Sequence, residues 1–161
     1  MQALQDSPRT RNSYKFYQSP SAFVAKHWPV ISEFILRALP EHIDKTEELR
    51  ANLLESIVKE ILQVWIVVYA NPERAGDIAS IFTTYPSYDF MTGVRSLVVY
   101  TVTTMDGNVD QTAYSQGMKK LSEYGKSKGC TKIVATTTND IMAEKARHLG
   151  GVIHHLAVWE I

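Results

Sequence analysis

The chain has 161 residues, a hydrophobic fraction of 45% and equal counts of basic and acidic residues, 17 of each. That length suits one domain able to bury roughly 70% of its unfolded surface, and the zero net charge excludes the basic excess of a non-specific nucleic-acid binder. One cysteine, Cys130, allows no internal disulfide and fits a reducing compartment.

The longest apolar run, Val64 to Ala70, is too short to span a bilayer, and the start Met1-Gln2-Ala3-Leu4-Gln5-Asp6 lacks the apolar core of a signal peptide. A cytoplasmic protein is the expectation, with no membrane and no nucleic acid among its partners.

Residues 1–13 are polar and read as a tail on a single domain, 14–161. Tyr14–Tyr17 reads as a short strand. Ser19-Pro20-Ser21 offers a helix cap and first turn. Phe23, Val24, His27, Trp28, Ile31, Phe34, Ile35 and Ala38 then recur at helical spacing. Pro29 either kinks this helix or starts a second one. Another helix is predicted from Lys45-Thr46, with Glu47 and Glu48 in its first turn and Leu49, Leu53, Ile57, Ile61 and Leu62 as its apolar stripe.

The period then changes. Val64–Tyr69 is β-branched and aromatic and predicts a buried strand. Asn71–Gly76 is turn chemistry, Ile78–Tyr85 the returning strand, and Pro86–Gly93 a loop. Ser96–Thr103 is a further strand, and Asp106-Gly107-Asn108 a turn. A helix is expected from about Asp110 to Lys128, with Tyr114, Met118, Leu121 and Tyr124 on one face and Gly129 as its cap. Lys132–Thr137 is a strand, Ile141–Leu149 a helix ended by Gly150-Gly151, and Val152–Trp159 a closing strand. The order β-α-α-β-β-β-α-β-α-β gives an α/β fold, a mixed sheet covered by helices, with a right-handed parallel crossover over 96–137. The expected core contains Trp65, Val67, Leu97, Val99, Met118, Leu121, Ile133 and Leu149.

This order resembles the GNAT (N-acetyltransferase-like) superfamily over nearly the whole chain. The sharpest stretch is Leu121 to Val134, where a helix ends in Lys128-Gly129-Cys130 and a strand follows. A second match is Asn139 followed by Leu149-Gly150. The resemblance implies that the splayed fourth strand, at Val102, Thr103 and Thr104, hydrogen-bonds the pantetheine arm of acetyl-CoA or another acyl-CoA. It implies that the N-terminus of the next helix, at Gln111, Thr112 and Tyr114, meets the pyrophosphate. A strand N–H would stabilise the oxyanion formed by amine attack. A tyrosine on the last helix would protonate the leaving thiolate.

The sequence departs from that pattern. The family's pyrophosphate loop reads Gln/Arg-x-x-Gly-x-Gly/Ala, because glycine lets the backbone approach the phosphates. The arginine and two glycines fall here on Val109, Thr112 and Tyr114. Gly107 and Gly117 are nearby at other spacings, and a register that uses Gln111 still supplies no glycine pair. The tyrosine position falls on Ala146, and Gly151 stands where phenylalanine commonly follows Leu-Gly. The acyl-CoA site therefore reads as degenerate, and no catalytic acid or base is assigned.

Each candidate also has a plainer role. Tyr114 either packs the core or plugs the phosphate site. Asn139 suits an N-cap as well as a ligand contact. Thr136, Thr137 and Thr138 suit a strand end. Tyr88, Asp89 and Glu73 lie in loops able to rim an acceptor cleft. Cys130 reads as a buried small apolar group rather than a nucleophile. His154 and His155 are adjacent on a predicted strand and face opposite ways; no cluster has metal-ligand spacing.

Three functions compete: an acyl-CoA-dependent N-acyltransferase with a divergent loop; a non-catalytic GNAT-fold protein acting through protein contacts; and a regulatory domain that senses CoA or another metabolite. Tailed bacteriophages encode small GNAT-like proteins, some of them virion or assembly components, so a virion location accompanies the second. The aromatic-rich first half, with Trp28, Trp65, Tyr69, Tyr85 and Tyr88, suits a protein partner or a homo-oligomer.

Overall fold

The computed structural model describes residues 12–105, 110–137, 140–154 and 159. The strands are β1 (Tyr14–Ser19), β2 (Gln63–Tyr69), β3 (Ile78–Tyr88), β4 (Arg95–Thr104) and β5 (Lys132–Ala135). The α-helices are α1 (Ser21–Lys26), α2 (Trp28–Arg37), α3 (Glu47–Val58), α4 (Gln111–Ser127) and α5 (Asp140–His148). The strands form one sheet in the order β1-β2-β3-β4-β5. The first four are antiparallel neighbours, and β5 joins β4 in parallel through α4.

Two layers cover the sheet. On one face, α1–α3 pack Val24, Ile31, Ile35, Leu36, Leu53 and Ile57 against Val64 and Ile81. On the other, Ala113 and Leu121 of α4 meet Trp65, Phe82, Leu97 and Cys130. The adjacent sheet residues Val64 and Trp65, like Ile81 and Phe82, divide between the two cores as strand alternation requires.

Local chemistry sets several boundaries. His27 ends α1 and precedes α2, whose second residue is Pro29, so the proline begins a helix rather than kinking one. Ser19 pairs with Val64 as the last residue of β1, and α1 has no side-chain cap. Thr46 caps α3 by accepting the Leu49 N–H at 3.1 Å. Glu60, at φ 58°, turns the chain out of α3. Ile61 is thereby left 56% exposed, outside the stripe that its spacing suggested. Gly129, at φ 73°, closes α4 in a Schellman motif: Cys130 donates to the Gly125 carbonyl and Gly129 to that of Lys126.

The sequence expectation needs three corrections. The Phe23–Ala38 segment forms two helices, so three helices precede β2. Val152 to His154 are not strand, and residues 155–158 of the expected closing strand lie outside the described residues. Met118 is 36% exposed, and Val99, Ile133 and Leu149 are half-buried rather than core. The buried residues of α4 are Ala113, Leu121 and Gly125, with Gly117 beside them against Phe16. This line has i,i+4 spacing and consists largely of small residues, which lets the helix lie close to β1 and β4.

Candidate functional site

The pairing of β4 with β5 runs from Ser96–Lys132 to Val99–Ala135 and stops there. β4 continues to Thr104, held on its other edge by β3. Where that pairing ends, the β3 register jumps from Thr84–Val99 to Thr83–Thr101, so Tyr100 is the extra residue of a β-bulge. A bulge bends its strand and re-aims side chains. Leu97 lies in the α4-side core and the half-buried Val99 packs against it, whereas Thr103 donates to the Phe34 carbonyl of α2 at 2.6 Å. Without the bulge all of these odd-numbered residues would share one face. With it, Thr101 and Thr103 turn towards α2, and Val102 and Thr104 towards α4, beyond the reach of β5. Thr101 shares a hydrogen bond with Thr83 at 2.7 Å, and Val102 is 37% exposed. The Tyr100 ring meets Tyr85 edge-on at 5.9 Å, and burial, then the neighbouring Tyr85, pushes its hydroxyl pKa up.

α4 starts at the same end of the sheet. Its N-cap is Asp110, whose carboxylate is held at both oxygens. Oδ1 accepts the Ala113 N–H at 3.0 Å, and Oδ2 accepts the Tyr14 hydroxyl from β1 at 3.0 Å. Burial, reinforced by Asp110, pushes the Tyr14 pKa to about 12, so Tyr14 remains a donor at neutral pH. Gln111 is exposed and Thr112 half-buried in the first turn. Tyr114 reaches across to α5. Its hydroxyl donates to Met142 Sδ, and Lys145 Nζ stands 4.4 Å from the ring centroid. Burial raises its hydroxyl pKa. Tyr114 thus ties α4 to α5.

The structure brings Val102, Thr103, Thr104, Gln111, Thr112 and Tyr114 to one end of the sheet. Asn139 and Thr138 lie outside the described residues, as do Val109 and the rest of the 106–109 segment. Glu73 is in the β2–β3 connection at that same end, as Val68 pairs with Ile78 and Ser80 with Thr104. Tyr88 and Asp89 are in the β3–β4 hairpin at the other end. Asp89 is engaged there: Thr92 Oγ1 and the N–H groups of Met91 and Thr92 donate to its carboxylate and lower its pKa. It serves as a turn cap rather than a base at the unpaired edge of β4. A cavity of about 310 Å³ lined by Pro86, Ser87, Tyr88, Arg95 and Lys128 also lies at that far end.

Cys130 is buried, and no group of three or more metal-ligating side chains occurs among the described residues. No described helix is long and apolar enough to cross a membrane. Gly151 has a local cause: a Cβ there would lie 2.8 Å from the Ala146 carbonyl oxygen, which accepts the Gly151 N–H as α5 ends. Sequence reading missed the Tyr14–Asp110 tie and the Tyr100 bulge. Asp110 was legible as a helix start, but its partner is 96 residues away.

No protein-family model matches the sequence, and no curated protein sequence matches it. Solved structures do. The aminoglycoside N-acetyltransferase AAC(6')-Iy in complex with CoA superposes with a TM-score of 0.66 at 15% identity, over 96% of this chain and 97% of that one. Glucosamine-6-phosphate N-acetyltransferase from Arabidopsis thaliana gives 0.60 at 14% identity, over 92% of this chain and 98% of that one. A predicted acetyltransferase with acetyl-CoA from Clostridium acetobutylicum gives 0.61 at 12%, over 92% and 95%. The sheet order, the parallel β4–β5 pair and these superpositions together establish that the chain has the fold of the GNAT-type acetyltransferases.

Proposed function

We propose that this protein is an N-acyltransferase that takes its acyl group from a thioester lying along β4, and that it holds acyl-CoA only weakly. The observation that carries the reading is the unpaired edge of β4: the strand bulges at Tyr100 and runs on to Thr104 after its pairing with β5 has ended at Val99. A strand edge of this kind presents N–H and C=O groups to an extended, amide-bearing arm.

The two ends of the seat differ in their fit to acyl-CoA. The β4 end suits the pantetheine arm at Val102, Thr103 and Thr104. The α4 end suits a diphosphate poorly, because the Asp110 carboxylate already takes the Ala113 N–H and Tyr114 stands where the family has glycine. Acyl-CoA supplies the activated carbonyl when bound, and these residues of the chain orient it. Losing two charge-assisted hydrogen bonds, at roughly 1.5–3 kcal/mol each, moves affinity from micromolar toward millimolar. Calorimetry with acetyl-CoA, paired with a thermal shift, tests the reading. The expected Kd lies above ~100 µM, with a small rise in melting temperature that grows with the logarithm of ligand concentration. A tight, micromolar Kd contradicts the degenerate site, and no binding at ~10 mM contradicts the enzyme reading.

One observation favours the second reading, a non-catalytic protein working through protein contacts such as those of a phage virion or assembly component. The β3–β4 hairpin carries Phe90 and Met91 at 87% and 95% exposure, with Phe90 edge-on to Tyr88 at 5.0 Å. An exposed apolar cluster of this kind suits a protein surface.

A further inference from the structure

We infer that the acyl donor is a pantetheine thioester without the nucleotide of CoA, either free or joined to a protein through a single phosphodiester. The inference rests on the proposed thioester seat and concerns its chemistry. It comes from the contrast between the two ends of that seat.

The first end is open backbone. β5 leaves β4 at Val99, and the bulge at Tyr100 turns Val102 and Thr104 to the α4 side. A pantetheine arm is uncharged and extended, with two amides, and needs only backbone donors and acceptors together with apolar contact. Val102, 37% exposed, and Thr104, half-buried, supply such a surface.

The second end carries the wrong charge. CoA brings a diphosphate and a 3′-phosphate, which favour unoccupied N–H groups and positive potential. At α4 the Asp110 carboxylate occupies the helix end, fixed by Ala113 N–H and by Tyr14. Tyr14 is itself buried in the core at 8% exposure, so the carboxylate does not swing aside without losing a tie to β1. An anion seated there would meet a like charge at short range. The Tyr114 side chain, in the first turn of α4, is bridged to Met142 and Lys145 of α5. A free pantetheine meets neither feature, and a carrier-borne arm brings one phosphodiester charge in place of the diphosphate and 3′-phosphate of CoA. The Asp110 carboxylate at the helix start and the side chain of Tyr114 therefore oppose the nucleotide, while β4 accepts the arm.

The experiment compares acetyl-CoA with acetyl-pantetheine by calorimetry on the full chain, with acetylated phosphopantetheinyl carrier protein as a third ligand. The expected result is that acetyl-pantetheine binds within about 3-fold of acetyl-CoA, so that the nucleotide adds no affinity. If the carrier-borne thioester binds ~10-fold tighter than the free one, the source is a protein; equal affinity assigns a free thioester. Two variants sharpen the test. Asp110→Asn keeps a good cap while removing the charge, and should tighten acetyl-CoA by about 3- to 10-fold with acetyl-pantetheine unchanged. Tyr114→Gly should act in the same direction. Acetyl-CoA binding ~10-fold or more tighter than acetyl-pantetheine in the unaltered chain overturns this inference and leaves the thioester seat standing. Failure of all three ligands to bind overturns both.

Discussion

The two faces of the sheet are closed in different ways. Under α1–α3 the seal is made by branched aliphatic side chains at 0–6% exposure, such as Val24, Ile31, Ile35, Leu53 and Ile57. Under α4 it is made by aromatic residues and small ones: Trp65 stacks on Phe82 at 5.7 Å and meets Tyr124 edge-on at 5.1 Å, while Ala113, Gly117 and Gly125 bring the helix close. Farther along that face α5 contributes no buried residue. One layer is a solid core; the other is tight over β1–β4 and thins out towards α5, past the end of the β4–β5 pairing. The candidate site lies at that thin margin, where local opening costs least.

The largest expected effect is in the aliphatic layer. Ile35 is 1% exposed at its centre, so Ile35→Ala should destabilise by about 2–5 kcal/mol through lost burial and a cavity. Ile141 of α5 is 67% exposed, and Ile141→Ala should fall within about 0.5 kcal/mol of the parent on urea titration. Similar losses at both positions would break the contrast between the layers. Within α4, Leu121→Ala should cost about 2–5 kcal/mol by the same cavity mechanism, well above the cost at the partly exposed Met118.

The next effect tests the tie between β1 and α4. Tyr14→Phe removes the hydroxyl that donates to Asp110 and should cost about 1–2 kcal/mol. It should also change the alkaline limb of stability. The folded Tyr14 pKa, about 12, lies above the ordinary value of 10.0. Its contribution is therefore intact below pH 10 and is lost as pH rises through the folded pKa of about 12. Denaturant midpoints measured across that window should fall more steeply in the parent than in Tyr14→Phe. Equal slopes would mean that the hydroxyl is not held.

How much of this was legible follows from the range of the interactions. The change of period at Val64, the strand–helix–strand run over 96–137 and the Lys128-Gly129-Cys130 ending are local signals, and they give the sheet, its parallel pair and the end of α4. On α4 the sequence pattern correctly places Leu121 and Tyr124 against the core but also Met118, which is 36% exposed; Gly117 and Gly125, which the pattern passes over, matter through what they allow to approach. The bulge at Tyr100 depends on register with Thr83 and Thr84, and the Asp110 cap on a tyrosine in β1. No local window contains either pairing. The elements that carry the candidate site were therefore legible, and the long-range pairings at its two ends were not.

The smallest effect examines that close approach directly. Gly125 has ordinary helical φ, and a Cβ added there would lie 3.5 Å from Leu97 Cδ2, a normal van der Waals distance. Gly125→Ala should therefore stabilise by about 0.5–1 kcal/mol, since alanine loses less backbone freedom on folding. At Gly117 the same Cβ would lie 3.2 Å from Phe16 Cε1, so the ring must yield by a few tenths of an ångström. That displacement should cancel most of the gain and leave Gly117→Ala near neutral. Paired denaturant titrations of the two variants decide the point. A larger gain at Gly117 than at Gly125 would mean that α4 stands off β1 and rests mainly on β4, leaving Tyr14 to bridge a looser joint at the mouth of the site.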